Sequence, residues 1–360
     1  MIKDILNSFG LQPNKYVATK LSSGLINNTW KISGEDNNYI LQQVNKNVFK
    51  SPEDIAQNIK NLDIFLAEHH PNYLFISLLM TPNGEYLVIN ETGEVFRLMS
   101  YVKNSQTLDT VTTRHEAFEA ARQFGKFTSN LSGFNTSKLR YTLPDFHNLT
   151  LRFEQFELAY KNACEEKMAL AADAIKKAFN HKDIVQVYQS ILKNQDIPSR
   201  VIHHDTKISN VLFDKNHCGL CVIDLDTVMP GYFFSDVGDM MRTYLSPANE
   251  EEKDFSKVIV REDFFQAIIE GYFSEMSKDL TATEKTLIVY SGKFMIYMQA
   301  IRFLTDFLNG DIYYSTSFPK HNLVRAQNQF TLLNRYLEAE ESFSKIVRDF
   351  ISKPIAKARA

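Results

Sequence analysis

Two neighbouring segments hold the polar side chains best suited to chemistry. VIHHDTKISNVLFD runs from Val201 to Asp214, and CVIDLDTVMPG runs from Cys221 to Gly231. In both segments, carboxylate and amide groups stand beside short apolar runs. Oxygen ligands of this kind are the ones that Mg²⁺ prefers, and a carboxylate can also accept a proton from a hydroxyl. The two segments therefore combine a possible cation site with a possible base.

A β-hairpin is predicted to bring these groups together. Its strands are Val211 to Phe213 and Cys221 to Leu225, joined by the polar turn DKNHCG. Asp205 and Asn210 precede the first strand, and Asp224 lies towards the end of the second. A two-stranded ribbon places the start of one strand beside the end of the other, so all three side chains are expected at one place.

This arrangement suits phosphoryl transfer. The reaction needs a carboxylate to orient the nucleophilic hydroxyl, predicted as Asp205, and oxygen ligands for Mg²⁺ on nucleotide phosphates, predicted as Asn210 and Asp224. Lys207 adds a positive charge for the transferring group. The spacing Asp-x-Lys-x-x-Asn matches the catalytic loop of protein kinases. A plain polar loop and hairpin turn is the alternative, and the agreement of spacing with order favours the catalytic interpretation.

Composition excludes several classes of protein. The chain has 360 residues, of which 44% are hydrophobic and 23% charged, as in ordinary globular domains. A formal charge of −3 gives no basic excess for a nucleic-acid partner. The length favours one large core with a smaller lobe attached. The charge balance indicates no particular binding partner. The sequence does not predict the oligomeric state.

Hydropathy and cysteine usage indicate a cytoplasmic protein without a membrane partner. The segment Met1 to Tyr16 lacks the apolar core of a signal peptide, and no apolar run is long enough to span a bilayer. Three cysteines do not form a disulfide framework. Cys218 and Cys221, with His217 beside them, could bind zinc or act in redox chemistry, but no second ligand pair follows, so incidental packing is favoured.

The order of elements predicts an α+β fold. Short strands are expected between about residues 16 and 45, followed by a helix with Ser51 as N-cap, Pro52 in the first turn and Asp54 in a capping-box-like position. More strands follow in TPNGEYLVIN and ETGEVFRLMSYV. From about Thr112 onward, the apolar spacing predicts mainly helices, with LRFEQFELAYKNACEEKMALAADAIKKAF as one long helix.

The chain resembles the aminoglycoside phosphotransferase and choline kinase superfamily over nearly its whole length. The motifs that carry the resemblance are SGLINNTWKI, YILQQVN, HHDTKISNVLFD, VIDLDTVMPG, SDVGDMMR and IRFLTDFLNGDIYY. The last three are most similar to N-acetylhexosamine 1-kinases, which phosphorylate the anomeric hydroxyl of GlcNAc or GalNAc. The resemblance implies a two-lobed, protein-kinase-like fold, with a β-rich nucleotide-binding lobe at 1–102 and a helical catalytic and substrate-binding lobe at 103–360.

The resemblance also implies roles for single residues. In the catalytic loop, Asp205 resembles the catalytic base, His203 the histidine that orients the loop, and Asp236 the aspartate that supports it. Asn210 and Asp224 resemble the metal ligands. For the nucleotide, the implied positions are a turn over the phosphates and a connection between lobes where backbone groups hold adenine, namely Gly24 and Met99, Tyr101 and Val102. ATP and Mg²⁺ are the implied cofactors.

Two positions depart from the family pattern. His204 stands where many relatives have glycine, which puts a tight backbone there in doubt. Gln42 stands where the strand lysine that grips the α- and β-phosphates is expected, with Gln43 as the alternative register. Glutamine is a neutral donor, so nucleotide binding would depend more on Mg²⁺ and Lys207. The hexosamine kinases share this glutamine.

The implied partner is a small sugar. The resemblance assigns sugar contacts to Asp226, Arg302 and Tyr313. Asp226 is expected on the same strand face as Asp224 if the strand continues. Asp306, four residues after Arg302 on the same helix face, is a candidate to orient it. A surface ion pair between Arg302 and Asp306 is the alternative. Other acceptors of the superfamily, such as an aminoglycoside, choline, homoserine or another sugar, remain open. A nucleotide-binding pseudokinase also remains open, because of Gln42, whereas the absence of D-F-G and A-P-E motifs disfavours a protein kinase.

Overall fold

The first part of the chain contains a five-stranded antiparallel sheet. The computed structural model describes residues 1–21 and 26–352. The sheet has the order β1–β2–β3–β5–β4. Its strands are β1 (Val17–Leu21), β2 (Asn28–Ser33), β3 (Asn38–Val44), β4 (Val88–Ile89) and β5 (Val95–Ser100). Because side chains alternate along each strand, one sheet face packs on a small core. The other face, here called the cleft face, contacts Asp226 of the second part of the chain through Arg97.

The small core lies between the sheet and helix α1 (Ile2–Ser8). The apolar residues of the inner face are mostly β-branched or aromatic, as expected for a half-buried sheet. The buried members of this core are Ile5, Leu6, Phe9, Trp30, Ile32, Leu41, Phe96 and Leu98. The opposite face carries polar side chains, among them Gln42 of β3 and Arg97 of β5, which are direct cross-strand partners.

Helix α2 (Pro52–His69) packs away from that small core and into the large one. Its predicted apolar face, built around Ile55, Ile59 and Leu62, is buried. The Asn58 side chain donates to the carbonyl oxygens of Arg140 and Val228, at 2.8 and 3.2 Å. Ser51 is the N-cap residue as predicted, but its side chain makes no capping hydrogen bond, so the expected capping box is wrong.

The rest of the chain is mainly helical. Its helices are α3 (Arg114–Asn130), α4 (Leu149–Asn162), α5 (Glu165–Leu170), α6 (Ala172–Asn180), α7 (Asp183–Ile191), α8 (Phe233–Tyr244), α9 (Glu262–Met276), α10 (Ala282–Thr286), α11 (Ile288–Asn309), α12 (His321–Glu338) and α13 (Glu340–Ser352). The central helix α11 packs against α4, α8 and α12. Sheet first and helices second confirm the predicted α+β class, and the division at 102/103, just after β5, stays a prediction.

The long helix predicted over residues 151–179 is wrong, because the structure divides this segment into shorter helices. The segment after Asn148 forms α4, α5 and α6 instead of a single helix. Ala163 and Cys164 are in extended conformations, with ψ angles of 145° and 157°, and this break separates α4 from α5. The turn lets both α4 and α6 pack against α11, so tertiary packing overrides the continuous helical spacing.

Four short strands carry the segments that are predicted to be catalytic. They are β6 (Arg200–Ile202), β7 (Val211–Phe213), β8 (Gly219–Val222) and β9 (Met229–Gly231), paired as β6–β9 and β7–β8. The β7–β8 pair is the predicted hairpin. Its second strand was expected to reach Leu225 but ends at Val222, because Asp224 adopts a left-handed conformation with φ of 60° and a short 3₁₀ turn follows at Leu225–Thr227.

Two further sequence expectations concern what the chain lacks. Of the helices in residues 1–21 and 26–352, none is both long and apolar enough to cross a membrane. In the same residues, Cys218 and Cys221 belong to no cluster of three or more His, Cys, Asp or Glu side chains that could hold a metal. Cys221 is buried in β8, where burial raises the pKa of its thiol to about 12. A reactive thiol at Cys221 is therefore disfavoured.

Candidate active site

The loop after β6 is held by a buried carboxylate. Asp236, in the first turn of α8, accepts hydrogen bonds from the backbone N–H groups of His203 and His204, at 2.8 and 2.7 Å. Gly238 lets α8 approach α11 closely, because a Cβ there would collide with the Ser291 carbonyl oxygen. His203 is fully buried, and its Nε2 lies 2.9 Å from the Ile223 carbonyl oxygen. The side chains of Asp236 and His203 thus fix the loop backbone.

A second aspartate of α8 fixes the residue after Asp205. Asp239 accepts a hydrogen bond from the Thr206 backbone N–H at 2.9 Å and is itself paired with Arg242 at 3.0 Å. Burial alone would lower the pKa of Arg242, but Asp239 and Glu250 raise it, so the guanidinium stays charged. Asp236, Asp239 and Arg242 stand three residues apart on one helical face. The motif SDVGDMMR therefore positions the loop after β6 through Asp236, Asp239 and Arg242. Of these three residues, the sequence had indicated only Asp236.

His204 has the backbone conformation that a glycine would favour. Its φ of 66° lies in the left-handed region, so the histidine replaces a glycine without changing the tight backbone. Its ring is buried, 5.3 Å from the ring of His147, and it lies against Gly231. Burial, and then the neighbouring His203, lowers the pKa of His204 to about 3. His204 is therefore neutral in the folded protein at neutral pH.

This burial predicts acid destabilisation. The folded pKa of His204 is below its unfolded value, so unfolding takes up a proton between about pH 6.5 and 3, and stability falls as pH falls through that window. Asparagine tolerates left-handed φ and does not titrate, so His204→Asn is expected to remove this part of the pH dependence. Between pH 7.5 and 5, the wild type should lose about 2 kcal/mol more than the variant, measured by urea unfolding.

The exposed His115 provides the matched control. His115→Asn is expected to unfold like the wild type in this assay, because the His115 side chain is exposed and its loss removes no buried contact. If the free energy of unfolding falls equally with pH in the wild type and in His204→Asn, the conclusion that His204 is buried and neutral is wrong.

Asp205 lies at the end of this loop with two polar partners. Asn210 Nδ2 donates to Asp205 Oδ2 at 3.0 Å and to the Asp205 carbonyl oxygen at 2.8 Å. Lys207 Nζ is 3.1 Å from the same carboxylate oxygen. Burial alone would lower the pKa of Lys207, but Asp205, and then Asp224 and Asp239, raise it, so the ammonium keeps its charge. The side chains of Asp205 and Lys207 remain partly accessible to solvent, as groups that contact a substrate must be.

Asn210 and Asp224 lie at the same end of the β7–β8 hairpin. The Ile223 backbone N–H donates to the Asn210 carbonyl oxygen at 2.8 Å, and Val211 pairs with Val222. Because Asn210 Nδ2 is directed to Asp205, its Oδ1 is turned to the other side, where it accepts no hydrogen bond from the residues that the structure describes. One amide oxygen and one carboxylate beside each other fit the oxygen ligands of Mg²⁺.

The electrostatics of Asp224 also fit a cation. Asp224 is exposed to solvent as a whole residue, and the carboxylates of Asp226 and Asp205 lie nearby. Partial desolvation of its carboxylate, and then the charges of Asp226 and Asp205, raise the pKa of Asp224 to about 7. Arg97 and Lys207 act in the opposite direction. A divalent cation at Asp224 would relieve the repulsion among the three carboxylates.

Asp226 faces a different direction from the one expected. Because the strand ends before Asp224, the expected alternation that would place both carboxylates on one strand face is wrong. Asp226 is buried, accepts a hydrogen bond from Asn27 Nδ2 at 2.8 Å and forms an ion pair with Arg97. Its carboxylate therefore contacts the sheet lobe, and its predicted sugar contact stays a prediction without support from this geometry.

The nucleotide side is built from the polar face of the sheet. Gln42 Nε2 donates to Thr29 Oγ1 at 3.2 Å, and its Oε1 accepts from Arg97. Met99 lies in β5, paired with Ile40, while the Tyr101 backbone N–H donates to the Asn38 carbonyl oxygen. The Tyr101 N–H therefore has a partner already and is not free for adenine.

The other predicted nucleotide contacts are less defined. The Val102 carbonyl oxygen accepts from the Ser105 hydroxyl at 2.7 Å, in the turn that connects the lobes. Gly24, predicted to cover the phosphates, lies outside the described residues. Adenine contacts at Met99, Tyr101 and Val102, and a phosphate contact at Gly24, stay predictions.

The sugar-side residues separate into two groups. Arg302 is half-buried, and its guanidinium carbon is 5.6 Å from the ring centres of both Phe146 and Tyr314. Phe146 in turn lies 6.4 Å from the ring of His204, next to Asp205. This chain of ring contacts connects Arg302 to the catalytic loop.

Asp306 holds a loop, and the expected pairing with Arg302 is wrong. Its carboxylate accepts backbone hydrogen bonds from Ile312, Tyr313 and Tyr314, at 3.0, 2.8 and 2.9 Å, and one from Asn322 Nδ2. The Tyr313 side chain is 73% exposed at the tip of this loop. Asp306 therefore fixes the backbone that presents Tyr313.

Comparison with known proteins decides the family. Residues 17–272, well over half of the chain, match the phosphotransferase enzyme family. The chain belongs to this family. It is a phosphotransferase, and the predicted superfamily is confirmed.

Solved structures share the fold. A microcompartment-associated aminopropanol kinase is 15% identical, with a TM-score of 0.61 over 94% of this chain and 97% of its own. An amicoumacin kinase solved with AMP-PNP and Ca²⁺ is 12% identical, with a TM-score of 0.57 over 95% and 92%. A choline kinase from Cryptosporidium parvum is 12% identical, with a TM-score of 0.55 over 98% and 99%. These likenesses confirm the predicted two-lobed kinase-like fold, and the nucleotide analogue and divalent cation in one of them agree with the ATP and Mg²⁺ expected here.

Proposed function

We propose that this phosphotransferase is an ATP- and Mg²⁺-dependent kinase that forms an N-acetylhexosamine 1-phosphate. The observation that carries the kinase chemistry is the arrangement around Asp205: its carboxylate contacts Lys207 and Asn210, and Asp224 is close enough for the two carboxylates to repel. These are the groups that phosphoryl transfer requires, gathered at one end of a hairpin between a sheet and a helical lobe.

Each residue has a proposed role. Asp205 accepts the proton of the anomeric hydroxyl and orients its oxygen towards the γ-phosphate. Lys207 neutralises charge on the transferring group. Asn210 and Asp224 would hold Mg²⁺, which when bound supplies positive charge to the phosphate oxygens. Because Asp205 is fixed through Asp236 and Asp239, it is positioned before the substrate binds.

The charges around Arg302 support a neutral acceptor. The Arg302 guanidinium lies over the Tyr314 ring, and burial, and then the charge of Arg302, lowers the pKa of the nearby Arg152. The buried carboxylate of this region, Asp306, is occupied by backbone N–H groups. A cationic acceptor such as choline or an aminopropanol would meet like charge there. Sugar hydroxyls and an acetamido carbonyl can instead accept hydrogen bonds from Arg302, and the aromatic rings offer apolar faces.

A substrate panel tests the proposed function. Release of ADP from ATP is measured with GlcNAc, GalNAc, glucose, choline, homoserine and an aminoglycoside, each with and without Mg²⁺. We expect Mg²⁺-dependent release with GlcNAc or GalNAc that exceeds release with the other acceptors, together with a product that reducing-sugar reagents do not detect. Faster release with a cationic acceptor would contradict the sugar proposal and leave the kinase chemistry intact. No release with any acceptor, despite ATP binding, would favour a pseudokinase.

Arg302 is expected to determine sugar affinity. Arg302→Met removes a charged donor while keeping an unbranched apolar stem, so the KM for the sugar should rise about 10- to 100-fold, with the KM for ATP nearly unchanged. Steady-state kinetics with each substrate varied in turn measures both constants. The control is Arg335→Met on α12, where the arginine is exposed and pairs with Glu338. Equal increases in both KM values for Arg302→Met would contradict a specific sugar contact.

A further inference from the structure

The residue that faces Gln42 across the sheet is an arginine. Gln42 and Arg97 are paired in the β3–β5 register, so their side chains lie on the same, cleft-facing side. Arg97 donates to Gln42 Oε1 from Nε at 3.0 Å and from Nη2 at 2.7 Å. The glutamine that stands in place of the expected strand lysine therefore holds a cation that the neighbouring strand supplies.

Arg97 also reaches the segment that carries the proposed metal ligand. Its Nη1 forms an ion pair with Asp226, two residues after Asp224, and both side chains are only 2% exposed. The cation thus stands beside the place where the triphosphate and Mg²⁺ would meet.

The guanidinium of Arg97 offers more donors than its described partners occupy. It has five N–H donors in a fixed plane. In the part of the chain that the structure describes, Gln42 accepts from Nε and Nη2, and Nη1 contacts the Asp226 carboxylate. A phosphate oxygen is an acceptor that the guanidinium fork matches well.

Other cations on this side are less well placed. Lys31 shares the cleft face of β2, but its ammonium lies 4.2 Å from the centre of the Tyr101 ring, towards the connection between the lobes. Lys207 is paired with Asp205 on the acceptor side. Among these three cations, Arg97 is the one that contacts both Gln42 and the Asp226 segment.

We propose that Arg97 binds the α- and β-phosphates of the nucleotide in place of the strand lysine, and that Gln42 and Asp226 position its guanidinium. This inference rests on the nucleotide binding in the proposed function. Gln42 is suited to the role because it is neutral and its amide oxygen accepts from two guanidinium nitrogens. A lysine at position 42 would instead place a second positive charge against Arg97. Asp226 balances the arginine when no phosphate is present.

Nucleotide selectivity provides the test. Dissociation constants of ADP with Mg²⁺, and of adenosine, are measured by equilibrium dialysis for the wild type and Arg97→Met. A phosphate contact predicts that ADP binds about 10- to 100-fold more weakly to the variant, while adenosine affinity stays within about twofold. Arg114→Met, which removes an arginine that pairs with Glu270 at the surface of α3, should change neither constant.

A charge swap separates binding from folding. Gln42→Lys/Arg97→Gln moves the cation to the neighbouring strand, and it should restore ADP affinity to within about fivefold of the wild type. If Arg97→Met does not fold, as judged by circular dichroism, this double variant decides the question. Three outcomes would overturn the role of Arg97. Arg97→Met could bind ADP and adenosine more weakly by the same factor, or it could bind ADP as tightly as the wild type. The third outcome is a folded double variant that binds adenosine but not ADP. A wild type that binds no ADP would overturn the proposed function, and this inference with it.

Discussion

Replacing Asp205 by asparagine is expected to lower turnover by about 10²- to 10⁴-fold with the best acceptor of the panel. Asparagine keeps the size of the side chain and can still accept hydrogen bonds, so Asn210 and Lys207 keep a partner. It cannot take up the proton of the acceptor hydroxyl. The affinity for ATP should stay within about threefold, because Asp205 lies on the acceptor side of the phosphates. ADP release measures the first quantity, and calorimetry with ATP and Mg²⁺ measures the second.

Asp173→Asn is the matched control for that substitution. Asp173 is exposed on α6 and pairs with Lys177 four residues later, so its loss should not alter turnover. Turnover of Asp205→Asn within a few-fold of the wild type would remove Asp205 from the proposed mechanism. A parallel loss of ATP affinity would instead indicate that Asp205 acts mainly by holding the site together.

Replacing Asp224 by asparagine is expected to lower turnover strongly, because Mg²⁺ would be bound less well. Asparagine tolerates the left-handed backbone at this position, where φ is 60°, so the chain should not rearrange. The substitution keeps one oxygen but removes the negative charge of the proposed carboxylate ligand. Loss of several kcal/mol of metal-assisted stabilisation corresponds to a loss of about 10³-fold in turnover. The Mg²⁺ concentration that gives half-maximal activity should also rise.

The Mg²⁺ titration distinguishes the two aspartates. Asp205→Asn should leave the Mg²⁺ requirement of its residual activity unchanged, whereas Asp224→Asn should shift it upwards. If the Mg²⁺ requirement stays the same in Asp224→Asn, another residue must hold the metal. Thus one assay separates loss of a proton acceptor from loss of a cation ligand.

The parts of the site that follow local rules were predictable from the sequence. The polar turn between Phe213 and Gly219 and the apolar strands around it indicated the hairpin, and the hairpin in turn placed Asn210 beside Asp224. The class of the fold followed from strands in the first third and helical spacing in the rest. These signals depend on residues close in sequence, where backbone preferences and side-chain alternation decide the outcome.

The parts that depend on distant residues were not predictable in the same way. Arg97 reads as an ordinary strand residue, and only its register against Gln42 and its contact with Asp226 distinguish it. The direction of Asp226 was mispredicted because one residue, Asp224, leaves the strand conformation. A non-glycine residue with positive φ carries no clear signal in the sequence, and at His204 only the comparison with a glycine position hinted at it.

Helix α2 is anchored in the core of the helical lobe. Its apolar side is embedded in the same core as the catalytic lobe, and Asn58 fastens its middle to backbone carbonyls at Arg140 and Val228. Turning the helix outward would expose that side and leave the Asn58 amide and two carbonyls without partners. A regulator that works by tilting this helix would therefore have to oppose a large burial energy. We expect the enzyme to be assembled for catalysis at all times, so that supply of its substrates sets the flux.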